Sequence, residues 1–226
     1  MQPYDKKSAE YFSNVRRDIL PLVPTFSEKV LEVGCGNGAT LRFLKENQYC
    51  SLTHGIEMFP AVGEQARLNV DHVWIGDAEK MINTMDAGNY DLILCLDVLE
   101  HMIDPWQFTD RASMLLKPGG CLIASIPNMR TAVVMAKLLF KGRFRYHDAS
   151  GILDRTHLRY FTRESALELM NRKPLHTERI LPSPNARGSK SFIANVLTGG
   201  MFRDFFTEQF LIRSKRADAQ SQPKSL

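Results

Sequence analysis

Cysteine is scarce and scattered. The four residues, Cys35, Cys50, Cys95 and Cys121, lie far apart with no pair at CxxC spacing, which gives no support to a disulfide framework or a thiolate metal site. Cys95 and Cys121 fall in apolar, strand-like runs and read as small buried residues of a reducing compartment, and Cys35 sits in a glycine loop, where a small side chain fits. Long apolar runs are missing too. None approaches the roughly 20 residues that span a bilayer, and residues 1–20, mixed polar and apolar, lack the pattern of a signal peptide. A cytoplasmic protein is therefore expected. Charge is nearly balanced, and a net +4 does not by itself point to nucleic acid. Internal repeats are absent, as is any sign of a second domain.

What is present suits one α/β domain. A chain of 226 residues with 44% hydrophobic and 24% charged residues has ordinary globular composition and can bury its own core. Tyr4–Leu20 carries a helical pattern, with Tyr11, Val15, Ile19 and Leu20 on one face, that Pro21 and Pro24 end. Short apolar runs then alternate with helical patterns, which predicts βαβ units and a parallel sheet. Strands are expected at Lys29–Val33, Leu52–Glu57, His72–Ile75, Tyr90–Leu96 and Cys121–Ile126, and Tyr90–Leu96 (YDLILCL) is apolar enough to be covered on both faces. Helices are expected over Thr40–Glu46, Ala61–Leu68, Pro105–Leu115 and Thr162–Asn171, and Lys117–Gly120 reads as a turn. An extended segment near Leu175–Leu181 and a last strand, Glu208–Ile212, complete the sheet. The domain is thus placed at 1–212, with 213–226 as a disordered polar tail.

Val30–Leu41 (VLEVGCGNGATL) has the order strand, glycine turn, helix. Gly34, Gly36 and Gly38 let the backbone turn tightly and approach a ligand, and the helix amino terminus offers N–H groups to electronegative atoms. The loop alone is ambiguous, because Gly34, Gly36 and Ala39 also fit a dinucleotide fingerprint, and Glu57, at the end of the second strand, could hold ribose hydroxyls in either case. Glu32, just before the first glycine, can meet a cationic amino group and would repel a pyrophosphate. Asp77-Ala78 follows the third strand, where an acid can accept from an adenine amino group.

Together VLEVGCGNG, GIE, GDAE, YDLILCLDVLEH and LKPGG, in that order over residues 28–128, resemble the class I S-adenosylmethionine (SAM)-dependent methyltransferases. The resemblance implies a Rossmann-like, doubly wound and mostly parallel seven-stranded sheet flanked by helices, with an insertion after the fifth strand. It also implies that Glu32, Gly34, Gly36, Glu57, Met58, Asp77, Ala78 and the backbone near Leu96 bind SAM, with S-adenosylhomocysteine as product. A nicotinamide oxidoreductase is the competing cofactor reading, and a non-catalytic SAM-binding partner the competing non-enzyme.

Asp97-Val-Leu-Glu100-His101 follows the fourth strand. At i, i+3 and i+4 the three polar side chains could share a helical face, although Asp97 with Glu100 also has the spacing of a capping box. The element resembles the acid-x-x-Glu-His metal motif of ubiquinone-type O-methyltransferases and small-RNA 2′-O-methyltransferases, with Asp97 where glutamate is usual. DRTHLRYFTRES around His157 resembles the stretch that supplies a further histidine in the small-RNA family. That implies a divalent metal (Mg²⁺, Mn²⁺ or Fe²⁺) on Asp97, Glu100, His101 and His157. Catalysis by His101 or His157 as general base beside Asp97, without metal, is the alternative.

Between Arg130 and Arg163 stand eight basic side chains against two acidic ones, and residues 130–160 include an apolar run at Val133–Phe140. A lid helix and an anion-binding loop over the methyl acceptor are expected there, or a covering helix with a solvated basic face, and peripheral membrane contact is open. The segment also resembles bacterial methyltransferases of the methionine-biosynthesis protein W type, linked to cell-envelope glycans. That implies O-methylation of a small or glycan-type, lipid-linked or phosphate-bearing hydroxyl. The alternatives are N- or C-methylation, a quinone precursor, or RNA 2′-O-methylation, with nucleic acid the least favoured.

Overall fold

The computed structural model describes residues 13–147, 151–183 and 203–218. In chain order its elements are β1 Ser27–Val33, α1 Ala39–Glu46, β2 Cys50–Glu57, α2 Pro60–Ala66, β3 His72–Ile75, α3 Ala78–Met81, β4 Tyr90–Leu96, α4 Pro105–Leu115, β5 Leu116–Pro127, α5 Ala132–Lys141, α6 Arg163–Met170, β6 Leu175–Pro182 and β7 Gln209–Arg216. The seven strands form one sheet in the order β3-β2-β1-β4-β5-β7-β6. Strands β1 to β5 pair in parallel, and β7 runs antiparallel between β5 and β6. This is the Rossmann-like, doubly wound architecture, and its strand order reverses between β1 and β4, the place where open α/β sheets bind ligands.

Tyr90–Leu96 is central because it is apolar on both faces. Ile93 and Cys95 pack into one core with Phe108, Ala112 and Leu115 of α4 and Ala166 and Leu169 of α6. Leu92, Leu94 and Leu96 pack into the other with Leu41 and Leu44 of α1 and Ala66 at the end of α2. The helices start where their caps allow. Asp104 accepts from the Gln107 amide at 2.9 Å with Pro105 in the first turn, and Thr162 and Ser165 cap α6 reciprocally.

Three expectations are corrected. Lys117–Gly120 is not a free turn but the start of β5: Leu116 pairs with Tyr90 before a register shift. Gly119 takes a φ of +79°, and a Cβ on Gly120 would meet three backbone carbonyls at 3.0 to 3.1 Å, so the glycines serve a bulged strand. The last strand runs on through Arg216, four residues into the expected tail, because Ser214 is buried and Arg213 reaches Glu178 and the Leu22 carbonyl; 219–226 lie outside the described residues. Of the expected amino-terminal helix, residues up to 12 also lie outside them, and Arg17–Ile19 forms only a 3₁₀ turn.

Candidate active site

The eight cofactor residues expected from sequence, Glu32, Gly34, Gly36, Glu57, Met58, Asp77, Ala78 and Leu96, all line one cavity of about 910 Å³ at the carboxyl ends of β1 to β4. Gly34 must be glycine: its φ is +69°, and a Cβ would stand 2.7 Å from Val98 Cγ2. Gly38 caps α1 in the left-handed conformation. Glu57 holds the loop in shape, its carboxylate accepting from the Gly36 amide at 2.9 Å and the Phe59 amide at 3.0 Å. Burial pushes its pKa up, against those hydrogen bonds. Asp77 caps α3 through the Glu79 amide, and Glu79 in turn accepts from the amides of Ile103 and Asp104.

Glu32 is the most perturbed acid of the cavity. It is 4% exposed, and one carboxylate oxygen has no hydrogen-bond partner among the described residues. Burial pushes its pKa up to about 8; the Arg16 cation opposes the shift and Glu57 adds to it. A buried carboxylate with a spare oxygen at the mouth of a glycine loop suits the ammonium group of a methionine moiety and would reject a pyrophosphate.

A second cavity, of about 750 Å³, lies beyond the end of β4. Its lining includes Val133, Val134 and Lys137 of α5, Leu153, and Phe205 and Phe206 from the 3₁₀ turn Arg203–Phe206. Among the described residues, only Asp97 and His101 line both cavities.

His101 and His157 come together, with ring centroids 4.6 Å apart. The backbone explains the meeting: the amides of Leu158 and Arg159 both donate to the Glu100 carbonyl, at 2.8 and 3.0 Å. His101 Nδ1 lies 3.0 Å from the Thr156 carbonyl and His157 Nδ1 2.9 Å from the Ile152 carbonyl. A carbonyl only accepts, so both rings carry a proton on Nδ1. Glu100, His101 and His157 each offer a ligand atom within 4.8 Å of the others. One buried carboxylate and two imidazoles oriented by backbone carbonyls fit a divalent metal ion.

Asp97, expected in that group, stands outside it. It follows β4 with a φ of +57°, and Leu99–His101 is a 3₁₀ turn rather than an α-helical face. Its carboxylate accepts from Ser125 Oγ at 2.8 Å, Gln209 Nε2 at 2.6 Å and the Arg16 guanidinium. Sequence reasoning missed Arg16, Ser125 and Gln209. They come from before β1, from β5 and from β7, and no local spacing links them.

A glycine-rich turn with two buried glutamates beside it, at the carboxyl edge of a doubly wound sheet, is the arrangement of a SAM-dependent methyltransferase. The family profile described as a methyltransferase domain matches residues 8–173, and the chain belongs to that family; SAM is its cofactor. Curated relatives include ubiquinone biosynthesis O-methyltransferases from Acinetobacter baylyi, 28% identical over 66% of this chain and 67% of that protein, and from Xylella fastidiosa, 33% identical over 63% of each. The chain therefore spans about two thirds of the length of these relatives. Among solved structures, a SAM-dependent methyltransferase from Archaeoglobus fulgidus matches 93% of this chain and 96% of its own with a TM-score of 0.63 at 15% identity. One from Mesorhizobium loti matches 89% and 99% with a TM-score of 0.60 at 16% identity. At such identities these two share the fold.

Proposed function

We propose that the chain is an O-methyltransferase whose acceptor is an aromatic hydroxyl of the quinone-precursor type, held in the cavity roofed by α5. The single observation that carries the reading is that, among the described residues, only His101 and Asp97 line both cavities, so the place where a methyl group crosses is bordered by an imidazole and a carboxylate. The apolar walls formed by Val133, Val134, Leu153 and Phe205 suit a ring better than a sugar, and the O-methyltransferase names of the relatives support the same class. The glycan-type acceptor expected from residues 130–160 receives no such support.

SAM bound at the glycine loop supplies an electrophilic sulfonium methyl. The residues do the rest: Glu32 fixes the amino group, Glu57 the loop and the ribose, and the cavity walls align the hydroxyl in line with the methyl and sulfur, where much of the rate arises. The hydroxyl must lose its proton as it attacks. Glu100, His101 and His157 would hold a divalent cation, which would supply Lewis acidity beside the hydroxyl. In the second reading, favoured by the fixed Nδ1–H tautomer, His101 Nε2 takes the proton itself.

The test is methyl transfer from labelled SAM to a panel of catechols, phenols, sugars and nucleotide sugars, with and without chelator. Turnover confined to phenolic acceptors supports the assignment, and turnover confined to sugars sinks it. Loss of activity on chelation, restored by Mg²⁺ or Mn²⁺ and absent in His101→Ala, selects the metal. Chelator-resistant activity selects the base.

A further inference from the structure

The exterior of the acceptor roof differs from the rest of the surface. Residues 133–146 hold six of the fourteen large apolar side chains that stand exposed among the described residues. In α5 the buried side chain is Val134, which lines the acceptor cavity together with Val133 and Lys137. Leu139 and Phe140 do not line it and are 75% and 81% exposed. Gly142 ends the helix in the left-handed conformation. Beyond it Phe144 and Tyr146 both face Tyr160, with centroids 5.8 and 6.2 Å away, leaving Arg143 and Arg145 exposed. Lys141 is exposed as well, and none of these three cations pairs with a carboxylate among the described residues. The sequence has no acidic residue at all between Asp110 and Asp148.

We infer that α5 and the stretch after it dock on an anionic phospholipid surface, with Leu139 and Phe140 entering the headgroup boundary and Lys141, Arg143 and Arg145 meeting the lipid phosphates. Exposed aliphatic and aromatic side chains set among unpaired cations are the composition of an interfacial helix. A solvated basic face would not place its largest apolar residues outermost. RNA would satisfy the cations and leave Leu139 and Phe140 in water. Charge complementarity therefore selects the anion, and the exposed apolar groups select the bilayer over a polynucleotide. The inference does not depend on the acceptor assigned above, because lipid binding is read without methyl transfer.

The experiment is co-sedimentation of the full chain with vesicles of phosphatidylcholine alone or of phosphatidylcholine mixed with phosphatidylglycerol. Binding is expected only to the anionic vesicles, weakening as salt is raised. Lys141→Glu with Arg143→Glu should lower the partition coefficient by more than the roughly fivefold expected for each neutralised cation. Leu139→Ser with Phe140→Ser should lower it at unchanged charge. Both variants should keep wild-type S-adenosylhomocysteine affinity, which shows that they fold. The inference is overturned if the chain ignores anionic vesicles, or if both variants bind them as the wild type does. It is equally overturned if homopolymeric RNA binds while vesicles do not, or if the apolar pair instead abolishes a concentration-dependent dimer with no vesicle binding.

Discussion

Cofactor binding should release a proton, and the site predicts how strongly. Glu32 must be ionised to hold an ammonium group, yet burial pushes its pKa up to about 8. The sign follows directly: below that pH the carboxyl is neutral and the competent fraction falls tenfold for each pH unit. With apparent affinity reduced by the competent fraction, about half the molecules are ready at pH 8, about 9% at pH 7 and about 1% at pH 6, so the dissociation constant should rise about fiftyfold from pH 8 to pH 6. Titration calorimetry with S-adenosylhomocysteine, in two buffers of different ionisation enthalpy, measures both quantities. About one proton should be released per ligand at pH 7. Glu32→Gln should bind weakly at every pH with the slope removed. A dissociation constant that moves less than about threefold between pH 6 and pH 8, with no buffer-dependent heat, would refute the reasoning.

Three further outcomes are expected. Gly34→Val should abolish cofactor binding, because its Cβ meets Val98 Cγ2 and its φ is left-handed; thermal unfolding should no longer respond to S-adenosylhomocysteine. Glu57→Ala should strand the buried Gly36 amide, costing about 1–3 kcal/mol in denaturant unfolding and weakening the cofactor as well. Deleting Lys137–Tyr146 should leave S-adenosylhomocysteine affinity intact while ending transfer; normal turnover by that variant would separate α5 from the acceptor.

The parts legible in the sequence are those fixed by local chemistry. Tyr90–Leu96 is apolar at consecutive positions because both its faces are buried, and the three glycines of VGCGNG are required by backbone angles that other residues avoid. Lys117-Pro-Gly-Gly120 misleads because turn chemistry and a bulged strand call on the same residues. Arg213-Ser-Lys-Arg216 misleads because its polar side chains find partners, Glu178 for Arg213 and the Met114 carbonyl for Arg216, that only the finished sheet supplies. The meeting of His101 with His157 could be expected from resemblance. The departure of Asp97 could not, because one residue with positive φ redirects a side chain whatever the spacing implies.

That residue joins three distant stretches of the chain. A left-handed backbone costs an aspartate about 1–2 kcal/mol, and its three holders are Arg16 near one end, Ser125 in the middle and Gln209 near the other. Gln209 reaches Asp97 only because β7 enters the sheet antiparallel beside β5. The border shared by the two cavities is therefore a product of the whole sheet, and no single βαβ unit could build it alone.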